Sequence, residues 1–289
     1  MYYQPNSLAD LNEFLTRANE HMKFLAGGTD LVVQMKTGEL SPTIVVDLKS
    51  VPEFSEIDLS KDGFLRIGAL STANDIIESE LLGEYIPKLA EIAENIGSVQ
   101  IRSRATIGGN ICRAAPSADF APLLIALKAQ VEILSENKIV TEELDTFFVG
   151  PGRTILKDEE IVSCIVIPKP VSNQHVEIQR ISLRKTMDLA LVGTAVSVEI
   201  DDLTKKCSDV RIVLGSVGPT PMRMAVAEQE VYGNILSSES IDAAAKKASE
   251  NCKPISDIYG SVWYKRKIVE VLVRRALENI QKKVGLNGR

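Results

Sequence analysis

Phe24-Leu25-Ala26-Gly27-Gly28-Thr29-Asp30-Leu31 (FLAGGTDL) places a glycine pair between a strand-like run, Met22 to Ala26, and a helical one, Leu31 to Lys36. Glycine permits positive φ and close backbone approach. A strand–turn–helix junction also turns amide N–H groups outward, where they favour an anion such as a diphosphate, and Thr29 adds a hydroxyl. The same residues read equally as a tight turn with Thr29 or Asp30 as helix cap. Working outward, Leu8, Leu11, Phe14, Leu15 and Ala18 keep helical spacing before the strand, and Thr43 to Leu48 (TIVVDL) reads as a second buried strand after it. Together these predict a compact parallel crossover.

A second glycine pair lies in Thr106-Ile107-Gly108-Gly109-Asn110 (TIGGN), which runs on as ICRAAPSADFAPLLIAL to Leu127. Its hydroxyl and side-chain amide suit phosphate or ribose. Asp119 is a candidate acceptor for cofactor hydroxyls, or else, with Ser117, a cap for the helix expected over Ala118 to Leu127. Neither segment fits GxGxxG or GxxxxGK[ST], so Rossmann and P-loop binding explain them poorly. Two such segments in one chain allow one extended cofactor to be held by both.

Between the motifs, Phe64 to Leu70 is strand-like, Ala73 opens a helix, and Tyr85 to Ile96 reads as another. Strands are expected at Val131 to Leu134, Ile139-Val140 and Ile161 to Ile167, and Pro168-Lys169-Pro170 marks a boundary. Beyond it, Gln179 to Leu183, Ala190 to Ile200 and Val210 to Val217 read as strands. Met224 to Tyr232, Ser240 to Ala248 and Trp263 to Val284 read as helices, the last with an apolar stripe from Ile268 to Ile280.

Composition sets the outer limits. The 289 residues are 45% hydrophobic and 25% charged, an ordinary globular balance sufficient for about two domains. A net charge of −6 offers no general attraction for nucleic acid. The basic runs Lys265-Arg266-Lys267 and Arg274-Arg275 read as the solvated side of the last helix. No stretch approaches a membrane span. The opening MYYQPNSLADLNEF has neither a basic start nor an apolar core, so no signal peptide is expected. Four separated cysteines and two histidines, His21 and His175, give no metal-ligand pattern and suit a reducing cytoplasm.

FLAGGTDL followed by TIGGNICRAAPSADFAPLLIAL closely resembles the FAD-binding subunit of the molybdenum hydroxylases, the xanthine, nicotinate and carbon monoxide dehydrogenase family. Ile161 to Pro168 resembles the strand closing the family's flavin domain. Arg180 to Arg184 with Asp188-Leu189-Ala190 resembles the start of its C-terminal domain, and Ser261-Val262-Trp263-Tyr264-Lys265-Arg266 that domain's ending. The resemblance implies an α+β fold of the vanillyl-alcohol-oxidase/PCMH type. A FAD-binding domain spans residues 1–170, with a small lobe of about 1–55 and a large one of about 56–170. A C-terminal domain of antiparallel sheet and helices spans 171–289.

The resemblance also implies which residues meet FAD: Phe24, Leu25, Ala26, Gly27, Gly28, Thr29, Asp30 and Leu31 in the first segment, and Thr106, Gly108, Gly109 and Asn110 in the second. Asp119 stands at the family's acidic ligand, with Ile96 or Gly97, Ile161 and Arg180 near further flavin contacts. Arg180 replaces an expected lysine and keeps the charge but not the geometry. No catalytic acid or base and no metal ligand is expected in this chain. A small subunit with [2Fe–2S] clusters and a large molybdopterin subunit are expected partners, with electrons leaving FAD for NAD(P)+ or another acceptor. The AAPSAD stretch resembles the enzymes of purines and N-heteroaromatics more than the carbon monoxide enzyme. The alternative is a stand-alone flavoenzyme of the same fold, such as UDP-N-acetylenolpyruvylglucosamine reductase.

Overall fold

A computed structural model describes residues 1–17, 21–135, 138–184 and 187–285; Ala18 of the expected first helix lies outside them. The chain opens with β1 (Tyr2–Tyr3), α1 (Leu8–Arg17), β2 (Met22–Leu25), α2 (Leu31–Lys36) and β3 (Ile44–Asp47). The three strands form a parallel sheet in the order β1-β3-β2, the crossover that strand, glycine turn and helix predict. Next come β4 (Ile57–Leu59), β5 (Phe64–Gly68), α3 (Ala73–Glu78), α4 (Glu80–Tyr85), α5 (Pro87–Glu94), α6 (Val99–Arg102), α7 (Ile107–Arg113) and α8 (Phe120–Ala126). They lead into β6 (Gln130–Ser135), β7 (Lys138–Glu143), α9 (Leu144–Phe147), β8 (Phe148–Gly150), β9 (Arg153–Thr154) and β10 (Ile161–Pro168). A five-stranded antiparallel sheet runs β4-β5-β10-β6-β7. The remainder holds β11 (Gln174–Ile181), β12 (Val192–Ile200), β13 (Cys207–Gly215), β14 (Met222–Arg223), α10 (Ala225–Glu228), α11 (Ser238–Asn251) and α12 (Val262–Lys283). Its four strands form an antiparallel sheet in sequence order.

Contacts divide the chain into two compact units that interleave along the sequence. The first comprises Met1–Arg113, Ala129–Val149 and Arg153–Lys169. The second takes Ala114–Lys128, Gly150–Gly152 and the chain from Pro170 on. In the first unit, Leu11, Met22, Val46, Phe54 and Leu70 pack into one cluster with Leu134 and Ile161. In the second, α11 and α12 lie on the sheet, and Val269, Leu272, Val273, Ala276, Leu277 and Ile280 turn the expected stripe into core.

Three expectations give way. The helix expected over Tyr85 to Ile96 is two helices, because Pro87 forces its predecessor Ile86 out of helical geometry, to φ −139° and ψ 61°. The helix expected over Met224 to Tyr232 shrinks to Ala225–Glu228. There the Glu228 carboxylate turns inward to accept from the Ile212 amide and from Arg223. Lys265 is not on the solvated face. It is 3% exposed, and its ammonium donates to Asp257 at 2.6 Å and to the Ile255 carbonyl at 3.0 Å.

Candidate functional site

The two glycine segments lie against each other in the first unit. At Gly27 the backbone passes so close to the segment before TIGGN that an added Cβ would collide with the Arg104 carbonyl. Gly28 sits at φ +76°, a left-handed conformation glycine adopts without strain. The ideal Cβ position of Gly109 is 3.9 Å from the Ala26 methyl, and Asp30 at the end of the first segment bridges Arg113 at the end of α7 at 2.6 Å. Phe24 and Ala26 pack on the core cluster, while Asp30 caps α2 by position but makes no side-chain cap bond.

The two segments spend their amides differently. Among the described residues, the N–H groups of Gly27, Gly28, Thr29 and Asp30 find no acceptor in the protein. In the second segment the amides of Ile107, Gly108, Gly109 and Asn110 are all used. They donate to the Ser71 carbonyl, the Ala69 carbonyl, the Thr106 hydroxyl and the Thr106 carbonyl. TIGGN therefore opens a helix rather than forming a loop, and its amides hold no anion. What it offers is side chains: the buried Asn110 Oδ1 has no partner among the described residues, and the Thr106 hydroxyl still has its proton to donate. Gly108 serves packing, with its ideal Cβ position 2.6 Å from the Ala69 methyl.

The remaining expected residues fall in separate places. Gly97 follows the end of α5 and lies under Ile101, and the Ile96 carbonyl accepts from Arg102. Ile161 is buried in the core cluster of the first unit. In the second unit, Arg180 on β11 pairs with Asp119 at 3.3 Å and also donates to the Asp188 carbonyl. Asp119 precedes α8 but makes no cap bond to it. Burial pushes its carboxyl up to about 6, against the pull of Arg180. Sequence reasoning missed a cavity of about 390 Å³ in this unit, whose lining includes Ser117, Leu189, Ala190, Lys253, Tyr259 and Lys265. Its walls come from separate stretches scattered between Pro116 and Lys265, which no local pattern links. The Cys112 thiol on α7 is pushed up to about 12 by burial, so it carries no thiolate at neutral pH.

Residues 1–170 match the family model for the FAD binding domain in molybdopterin dehydrogenase, and residues 178–280 that for the CO dehydrogenase flavoprotein C-terminal domain. The chain belongs to the FAD-binding subunits of the molybdenum hydroxylases. It is an oxidoreductase component with FAD as its cofactor. It is 30% identical to the xanthine dehydrogenase FAD-binding subunit of Escherichia coli O157:H7, covering 96% of this chain and 94% of that one. It is 32% identical to the carbon monoxide dehydrogenase medium chain of Hydrogenophaga pseudoflava, covering 96% and 95%. A carbon monoxide dehydrogenase structure from that organism superposes with a TM-score of 0.90 at 32% identity, over 96% of this chain and 95% of the other. Quinoline 2-oxidoreductase from Pseudomonas putida 86 superposes at 0.88 with 26% identity, over 96% and 95%. No helix of the described residues is long and apolar enough to cross a membrane.

Proposed function

We propose that this subunit relays electrons from [2Fe–2S] clusters on a small partner subunit to a soluble acceptor such as NAD(P)+, while a large molybdopterin subunit oxidises the substrate. The observation that carries the reading is the row of four amides without an acceptor among the described residues, Gly27 to Asp30, together with the unpartnered Asn110 oxygen of the segment packed against it. These fit a cofactor with a diphosphate and adjoining hydroxyls. FAD, when bound, supplies the exchange between one-electron carriers and a two-electron acceptor. The amides of Gly27 to Asp30 donate to its diphosphate, and Thr29 and Thr106 add hydroxyl donors. Gly108 seats the second segment on Ala69, and Gly109 faces Ala26 of the first. Phe24, Leu25, Ala26 and Leu31 hold the ends of the first segment, and Gly97 and Ile161 contribute backbone contacts. Asp119 accepts from cofactor hydroxyls, and Arg180 keeps that carboxylate ionised and oriented.

For the whole complex we favour a purine or N-heteroaromatic substrate. The AAPSAD stretch supports this, as do relatives named for xanthine, nicotine and nicotinate. Medium chains named for glyceraldehyde and carbon monoxide dehydrogenases are about as similar to this chain, so the choice is tested on the holoenzyme. The decisive experiment is a visible spectrum of the native purified protein, with flavin identification and iron and molybdenum assays on the same sample. FAD near one per chain, with both metals on two further chains, is the expected result. FAD without metals or partners would overturn the relay, and a colourless protein that refuses FAD would overturn the cradle.

A further inference from the structure

Each end of the free-amide row carries a carboxylate matched by a cation. Asp47, at the end of β3, takes Lys49 Nζ at 2.7 Å, and the same ammonium reaches the Ala26 carbonyl at 3.4 Å. Asp47 is buried and also accepts from the Tyr2 hydroxyl and the Lys49 amide, so this group is a structural knot. Asp30 is different. Its side chain is half exposed, its own amide belongs to the free row, and its described partner is Arg113 Nε at 2.6 Å.

A carboxylate on the rim of an anion cradle works against the anion. Beside a phosphate in partly screened surroundings, one uncompensated charge weakens binding by about tenfold. Among the described residues, Arg113 is the cation that cancels it. Because Arg113 ends α7 and Asp30 ends the first segment, the same bridge also ties the two motifs together. We infer that Arg113 is a positioning residue of the cofactor cradle: it neutralises Asp30 beside the FAD diphosphate and fixes the amide row against α7. This rests on the cradle reading above. An exposed pair contributes little to folding, so the role belongs to cofactor affinity rather than to stability.

The test is FAD titration of the deflavinated full-length protein, followed by flavin fluorescence at low and high salt, with thermal unfolding of the FAD-free forms alongside. Arg113→Ala should bind FAD about tenfold more weakly at low salt, less so at high salt, with an unchanged FAD-free melting temperature. Arg113→Lys should bind as wild type, and the pair Asp30→Asn/Arg113→Ala should recover affinity to within about twofold. Wild-type affinity in Arg113→Ala, or a double variant no better than Arg113→Ala alone, would overturn the inference. A deflavinated wild-type protein that takes up no FAD would instead overturn the cradle itself, so the two failures are distinguishable.

Discussion

Gly27 and Gly109 stand in neighbouring segments yet answer to different neighbours, and their variants should separate. An alanine at Gly27 must push against the Arg104 carbonyl, which is backbone and cannot swing away. Gly27→Ala should therefore lose about 1–3 kcal/mol of folding stability whether or not FAD is present. At Gly109 the ideal Cβ position is 2.8 Å from the Thr106 hydroxyl oxygen, a side-chain atom able to rotate. Gly109→Ala should stay folded and lose most of its FAD. Thermal unfolding of the FAD-free variants and flavin titration check both, and a Gly27→Ala melting temperature equal to wild type would refute the close approach. Asp119 supplies a pH dependence. Its carboxyl is raised from 3.8 to about 6, so its contribution to FAD-free stability is complete below about pH 3.8 and is lost as pH rises through about 6. Asp119→Asn should thus raise the FAD-free melting temperature at pH 7.5 and change little at pH 4. As an ionised acceptor, Asp119 should also make wild-type FAD affinity fall as pH drops through about 6, whereas Asp119→Asn binds weakly at every pH. Equal affinities at pH 7.5 would remove Asp119 from the site.

At the scale of elements, what the sequence disclosed tracks how local the cause is. The crossover around FLAGGTDL was legible because strand, turn and helix are each written in adjacent residues, and α2 falls on Leu31–Lys36 as expected. TIGGN was legible as a site candidate but not as a helix. Two glycines disfavour helix in isolation, and what overrides them is the Thr106 hydroxyl on the Gly109 amide and Ala69 and Ser71 carbonyls arriving from elsewhere in the chain. The Asp119–Arg180 pair joins residues 61 apart, which no spacing rule announces. Lys265 misled for a related reason: beside Arg266 and Lys267 it reads as solvated, whereas the turn at Asp257 folds back to receive it. Lys265→Met should leave the Ile255 carbonyl and the Asp257 carboxylate without their cation. With Asp257 about a third exposed, we expect a loss of about 1–3 kcal/mol. Thermal unfolding of the variant checks it, and an unchanged midpoint would show that the pair is ornamental.

For the whole molecule, the interleaving of the two units matters more than the boundary at the prolines. All seven residues of α8 are buried, and the helix packs on β12 and β13 within the second unit, held further by Arg211 donating to the Ile125 carbonyl at 3.3 Å. A fragment of residues 1–170 would carry α8 without that sheet, and a fragment of 171–289 would present the sheet uncovered. Each should aggregate when expressed alone, and co-expression should recover soluble protein. Soluble, cooperatively melting 1–170 would contradict this. The same arrangement sets a schedule during synthesis. The strands that cover α8 end at Gly215, roughly ninety residues after Ala126. At about 5–20 residues per second, the nascent helix waits on the order of ten seconds before its cover emerges from the ribosome. Through that interval Phe120, Leu123, Leu124 and Ile125 are an exposed apolar segment, and the growing chain is a client for whatever chaperone stands at the tunnel exit.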